Sequence, residues 1–151
     1  MRVVVQRVKE ASVSVDGKVK NSIGKGLLLL VGVSKIDRPE DADRMAQKIR
    51  KLRVFEDKQG KMNLDLVQTG GEVLSVPQFT LLADTKKGNR PGFDNAADPS
   101  EAKALWERFN EALRREQATV KEGEFGAHME INLVNDGPVT FVLDSSAGGE
   151  K

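Results

Sequence analysis

Asn135-Asp136-Gly137-Pro138-Val139-Thr140 sets a Gly-Pro step between two strand-like runs, Ala127 to Val134 and Val139 to Asp144. Proline has no amide hydrogen to give to a sheet ladder, so pairing through this point is interrupted. Two readings are open: an ordinary turn, or a device that presents backbone carbonyls to a ligand. The second gains interest because the chain offers so little side-chain chemistry. Among its 151 residues there is no cysteine, no tyrosine and one histidine.

Working outward, valine-rich Arg2 to Val8 reads as a strand, and Ser12 to Val15 and Lys18 to Ile23 flank the hairpin pair Asp16-Gly17. Gly26 to Val33 reads as a central strand. The period then changes. Pro39 starts a helix in which Ala42, Met45, Ala46, Ile49 and Leu52 recur at three- and four-residue steps. Val54 to Glu56 is short and extended, Asp57 to Lys61 is a turn, and Glu72 to Phe79 is another strand. A second helix opens at Asp98-Pro99-Ser100-Glu101, with Asp98 as N-cap, Pro99 at the first helical position and Glu101 completing a capping box. Its apolar stripe of Ala102, Leu105, Trp106, Phe109 and Leu113 is core material. Ala118 to Lys121 and Ala127 to Asp144 supply the last strands. The prediction is one α+β domain over residues 1–146, a curved, barrel-like, mainly antiparallel sheet with two amphipathic helices. Residues 147–151 are expected to be a flexible tail.

Composition narrows the function. A chain of this length buries about two thirds of its unfolded surface. Zero cysteines exclude a disulfide framework and thiolate zinc sites and are compatible with a reducing cytoplasm. Val3 to Val5 is too short an apolar core for a secretory signal, and Leu27 to Val31 falls far below the ~20 residues of a membrane span. With 24 basic and 23 acidic side chains, net charge points to no polyanionic partner. Lys86, Lys87 and Arg90 do cluster in a loop, and Arg50, Lys51 and Arg53 close a helix. Each cluster taken alone reads as solvated surface.

Side-chain catalysis finds little support. A Ser-His-Asp triad would need His128, and no Gly-x-Ser-x-Gly occurs. His128 alternates with Met129 and Ile131, which puts it on the wetter face of a strand. No spacing suggests a metal site, and phosphate-cradling loops are absent. What remains is Pro77-Gln78-Phe79-Thr80-Leu81, where a strand runs into the long segment Leu81 to Asp98 that neither period explains. Loops of that length inside a domain are usually functional. The Thr80 hydroxyl has no evident base and reads as a strand residue. Where pairing stops, the Phe79 and Thr80 N–H groups are free to bind an oxyanion or a ligand edge. Arg7 shares strand parity with Val3 and Val5, which fits either an inward arginine that needs carbonyl partners or a surface cation.

Together these segments resemble the D-aminoacyl-tRNA deacylase family of bacteria and eukaryotes. The family pattern Ser-Gln-Phe-Thr-Leu is matched by Pro77 to Leu81 at four of five places, and Asn-x-Gly-Pro-Val-Thr by Asn135 to Thr140 in full. Gln6-Arg7-Val8, Leu52-Arg53-Val54-Phe55-Glu56-Asp57 and Ala83-Asp84-Thr85-Lys86-Lys87-Gly88 extend the similarity along nearly the whole chain. The resemblance implies hydrolysis of the ester joining a D-amino acid, or glycine mischarged on tRNA-Ala, to the 3′-terminal adenosine of tRNA. It implies no cofactor and no metal, and a cytoplasmic homodimer with active sites at the subunit interface. Gln78, Phe79 and Thr80 would be catalytic through their backbone, with the adenosine 2′-hydroxyl replacing a side-chain base. Gly137 and Pro138, joined by a cis bond, would wall off L-residues in the partner's site with Arg7 as a brace. Lys86, Lys87 and Arg90 would meet acceptor-end phosphates. The departure is Pro77, where serine is usual. It is the best argument for a competing reading, a non-enzymatic module that binds the tRNA end with a degraded site. A third reading is a conventional hydrolase acting through Thr80 or His128 on a small ester.

Overall fold

β1 (Arg2–Val15) is the spine of the molecule. A computed structural model describes residues 1–148 of the chain. Along one edge β1 pairs antiparallel with β3 (Gly26–Gly32) over its first half and with β2 (Lys18–Ile23) over its second, while β8 (Met129–Asp144) runs antiparallel along the other edge. That shared partner explains why β1 is one strand where two were expected. The β1–β2 turn is Asp16-Gly17, with φ of 53° and 76°, the left-handed pair that a tight two-residue hairpin requires.

β6 (Glu72–Pro77) adds parallel to β3, and β7 (Thr119–Glu122) parallel to β6. The strand order is β2-β1-β3-β6-β7, and β8 lies against β1 off this path. The sheet curls until its end strands meet. No backbone ladder joins β2 to β7 among the described residues. Three side chains bridge them instead: Lys20 Nζ to the Gly123 carbonyl at 2.8 Å, Asn21 Nδ2 to Glu122 at 2.7 Å, and Lys121 Nζ to Ser22 at 3.0 Å. The result is the expected nearly closed, mostly antiparallel barrel.

Two cores follow from strand alternation. On the outer face Val3, Val5, Leu27, Leu29 and Val73 pack against α1 (Pro39–Lys51) and α3 (Pro99–Arg115) through Ile49, Phe109 and Leu113. Inside the curl Val8, Val13, Leu28, Leu74 and Val76 form the second core. Each such side chain contributes roughly 1.5–3 kcal/mol of burial. The α1 start is closed by Arg38 N donating to Asp41 Oδ2 at 2.8 Å. At α3, Asp98 is the N-cap and Pro99 follows, but the expected capping box does not form, since Asp98 makes no side-chain cap bond and both Asp98 and Glu101 are exposed.

Two elements escaped the sequence reading: β5 (Met62–Leu64), paired with β4 (Phe55–Glu56), and the one-turn helix α2 (Leu66–Thr69). Phe79 leaves the strand assigned to it and joins a 3-10 turn, Phe79–Leu82. The chain ends its described part in another short turn, α4 (Ser145–Gly148). The rest of the expected tail lies outside the described residues. No helix among the described residues is long and apolar enough to cross a membrane.

Candidate active site

β6 stops at Pro77 because proline cannot continue the ladder, and the 3-10 turn begins two residues later. Gln78 N still donates to the Val31 carbonyl at 2.8 Å, and Leu81 N and Ala83 N close the turn onto Gln78 and Thr80. The amides of Phe79 and Thr80 head this turn, and among the described residues neither donates to a protein acceptor. Gly32 makes the arrangement possible: a Cβ there would lie 3.1 Å from the Gln78 carbonyl and 2.5 Å from Leu82 Cδ2. Arg2 anchors the far end, Nη1 donating to the Leu81 carbonyl at 2.8 Å while Nε holds Asp144 Oδ2 at 2.9 Å. Burial works against the Asp144 charge, but hydrogen bonds from Ser146 and Arg2 outweigh it and hold the carboxyl below its usual range.

The start of the turn lines a cavity of about 540 Å³, with Phe93, Trp106, Phe125 and Met129 among its walls. Phe79 is 58% exposed and meets Phe93 edge-on at 4.9 Å between ring centroids. Gln78 Nε2 donates to Thr80 Oγ1 at 2.9 Å, which occupies the hydroxyl with an amide rather than a base. Trp106, assigned from sequence to the core alone, is buried with Nε1 donating to Ser75 Oγ at 2.9 Å, and it also lines the cavity. The cavity wall was missed because Phe93, Trp106 and the Phe125–Met129 stretch come from three separate segments. His128 is exposed and does not line the cavity. No cluster of three or more metal-ligating side chains occurs among the described residues.

The Gly-Pro stretch forms a second centre. β8 is assigned as one strand, yet its register with β1 jumps from Gln6↔Thr140 to Val8↔Asn135, so residues 136–139 bulge opposite Arg7. The Gly137–Pro138 bond is cis, and Gly137 has φ 135°, where an L side chain is strained. Arg7 is buried at 6% exposure and does point inward. Its Nε donates to the Asp136 carbonyl at 3.1 Å and its Nη1 to the Val54 carbonyl at 2.7 Å. Asn135 Nδ2 donates to the carbonyls of Arg7 at 2.9 Å and Val139 at 3.0 Å, tying both ends of the bulge. That part played by Asn135 was legible only as a letter in the motif. Gly137 and Pro138 themselves are exposed.

Within one chain, then, Gln78, Phe79 and Thr80 come together at the cavity, and Arg7, Gly137 and Pro138 come together elsewhere. None of the latter three lines that cavity. Lys86, Lys87 and Arg90 form a third group. Asp84 and Gly92 exchange N–H···O bonds of 2.8 and 2.9 Å, so the long segment is a small hairpin with these exposed cations at its tip.

The molecule is thus an α+β barrel-like protein whose cavity is lined in part by a turn with two unpaired main-chain amides. The family described as D-Tyr-tRNA(Tyr) deacylase matches residues 4–144. The chain is 54% identical over 145 residues to a D-aminoacyl-tRNA deacylase of Bacillus velezensis, covering 96% of this chain and 99% of that one. It is also 54% identical over 148 residues to a Staphylococcus aureus D-aminoacyl-tRNA deacylase, covering 98% of each. Among solved structures, "c-Myc DNA Unwinding Element Binding Protein" superposes with a TM-score of 0.91 at 41% identity, over 96% of this chain and 99% of that one. A probable eukaryotic D-amino acid tRNA deacylase shares the fold at a TM-score of 0.81 and 19% identity, over 95% and 98% of the two chains. The chain belongs to the D-aminoacyl-tRNA deacylase family.

Proposed function

We propose that this chain hydrolyses the ester of D-aminoacyl-tRNA, and of glycine mischarged on tRNA-Ala, releasing the free amino acid and tRNA in the cytoplasm. The observation that carries this reading is the pair of unpaired amides at Phe79 and Thr80, two residues that line an aromatic cavity whose one titratable side chain is Asp98. The cavity takes the 3′-terminal adenosine. The two amides meet the negative charge that develops on the ester carbonyl. Water attacks the carbonyl carbon, the bond to O3′ breaks, and the proton passes by way of the adenosine 2′-hydroxyl to the departing oxygen. An aminoacyl ester is already activated, and orientation alone supplies up to ~7–11 kcal/mol in favourable cases.

Selection belongs to Gly137 and Pro138. Their carbonyls form a wall that an L-residue's Cβ strikes, whereas a D side chain points away and glycine has nothing to strike with. Because the exposed loop lies outside its own chain's cavity, the reading places it in the cavity of a second copy, as a homodimer with sites at the interface. Lys86, Lys87 and Arg90 meet phosphates of the acceptor end, without base preference. Pro77 favours a second reading, a non-enzymatic module that binds the tRNA end, because it removes both a hydroxyl and an amide hydrogen from the site.

One comparison tests both readings: D-aminoacyl-, L-aminoacyl- and glycyl-tRNA, each with and without a 2′-deoxy terminal adenosine. Turnover confined to D and glycyl substrates and abolished by the deoxy sugar is the expected result. Binding without turnover supports the module. Equal removal of D- and L-residues overturns the carbonyl wall.

A further inference from the structure

The register of β2 carries more than the barrel. Val13 pairs with Asn21 and Ser14 with Val19, so Lys20 is the extra residue of a β-bulge. Bulges re-aim a side chain out of the strand's regular alternation. This one sends the ammonium of Lys20 across the seam to the Gly123 carbonyl at 2.8 Å, and neighbouring Asn21 reaches the Glu122 carbonyl at 2.7 Å. Gly123 begins the segment that carries Phe125, Gly126, Ala127 and Met129 along the cavity. Lys20 Nζ also lies 3.8 Å from Glu124 Oε1, and the far end of the segment is held separately by Met129, which pairs with Val15 of β1 and accepts from Glu124 N through Sδ at 3.4 Å. Gly123 N donates to the Ser75 carbonyl at 2.9 Å, Ala127 N to Glu124 at 3.2 Å, and Phe125 leans on Trp106 at 6.0 Å between centroids.

We infer that Lys20 is a positioning residue, which fixes the Gly123–Met129 wall from across the barrel and so sets affinity for the terminal adenosine. The inference rests on the cavity being the adenosine site. Lys20 touches no reacting atom, so it acts on binding and leaves the chemical step alone.

The test uses the full-length protein and adenosine 5′-monophosphate as probe. Trp106, the one tryptophan of the chain, reports binding by its fluorescence. Lys20→Met is expected to raise both the Kd for the nucleotide and the KM for D-aminoacyl-tRNA about five- to tenfold, with kcat within about twofold. Lys20→Arg, which keeps a charged donor, restores both. Lys121→Met removes a seam bond made outside the wall and leaves them at wild-type values. An unchanged Kd in Lys20→Met, an equal rise in Lys121→Met, or a fall in kcat alone overturns the inference. A wild-type protein that deacylates but binds no nucleotide overturns the cavity assignment instead.

Discussion

The guanidinium of Arg7 lies against the backbone of Asp136, its Nε donating to that residue's carbonyl oxygen at 3.1 Å. The same group reaches the Val54 carbonyl through Nη1, so one buried side chain joins the Gly-Pro bulge to the start of β4. Arg7→Ala leaves two carbonyls without their donor. It is expected to cost about 2–4 kcal/mol in urea unfolding and to narrow the ratio of D to L turnover. A variant that retained the full ratio would remove Arg7 from the bracing role.

Gly137 tolerates no side chain where it stands. A Cβ would lie 2.7 Å from Val139 Cγ2 and 3.0 Å from Val139 N, at a φ of 135°. Gly137→Ala should lose about 1–3 kcal/mol of stability through backbone strain. Because the bulge must shift, D-aminoacyl-tRNA turnover should fall at least roughly tenfold while far-UV circular dichroism is unchanged. Wild-type turnover in a folded variant would show that the loop's path does not matter to the reaction.

Pro77 pairs with Val31 at the end of β6 and brings no hydroxyl to the site. Pro77→Ser is expected to leave kcat within about threefold, since an acid–base hydroxyl would be worth roughly 10²–10⁴. A gain in that larger range would mean that a side-chain hydroxyl belongs in the mechanism and that this chain works at reduced rate.

The tip cations should act through salt alone. Replacing Lys86, Lys87 and Arg90 with alanine should flatten the dependence of log K for tRNA on log salt by about 2. An unchanged slope at equal affinity would return all three to ordinary solvated surface.

Asp144 gives a pH signature. Its carboxyl titrates below the usual range in the folded chain, because the Ser146 and Arg2 hydrogen bonds outweigh a burial that works the other way. A folded value below the unfolded one (about 3.9) stabilises the protein fully above that pH. The contribution fades as pH falls through the folded value. Asp144→Asn should therefore be less stable than wild type at neutral pH, with the gap closing in acid. A gap independent of pH would mean that the Arg2 and Ser146 contacts do not depend on the charge.

Much of this was legible in the residues. The Asp16-Gly17 hairpin, both long helices and the Gly-Pro interruption follow from local rules, because glycine, proline and apolar period act over a few residues. Phe79 was misplaced by strand pattern: an aromatic residue fits a strand until one sees that Pro77 has ended it. β5 and α2 are short and depend on neighbours, with Asp57 N bonded to Lys61 O at 2.8 Å and Asp65 capping Gln68 N at 2.9 Å. The cavity wall was hidden for the same reason on a larger scale. Phe93, Trp106, Phe125 and Met129 meet only once the sheet has curled, and no spacing along the chain encodes that.

Side chains, rather than a backbone ladder, close the barrel between β2 and β7 among the described residues. A main-chain ladder fails or holds as a unit, whereas contacts made by Lys20, Asn21 and Lys121 are each replaceable by a single codon change. That edge is where evolution, or an engineer, has the finest adjustment over how tightly the barrel is drawn shut.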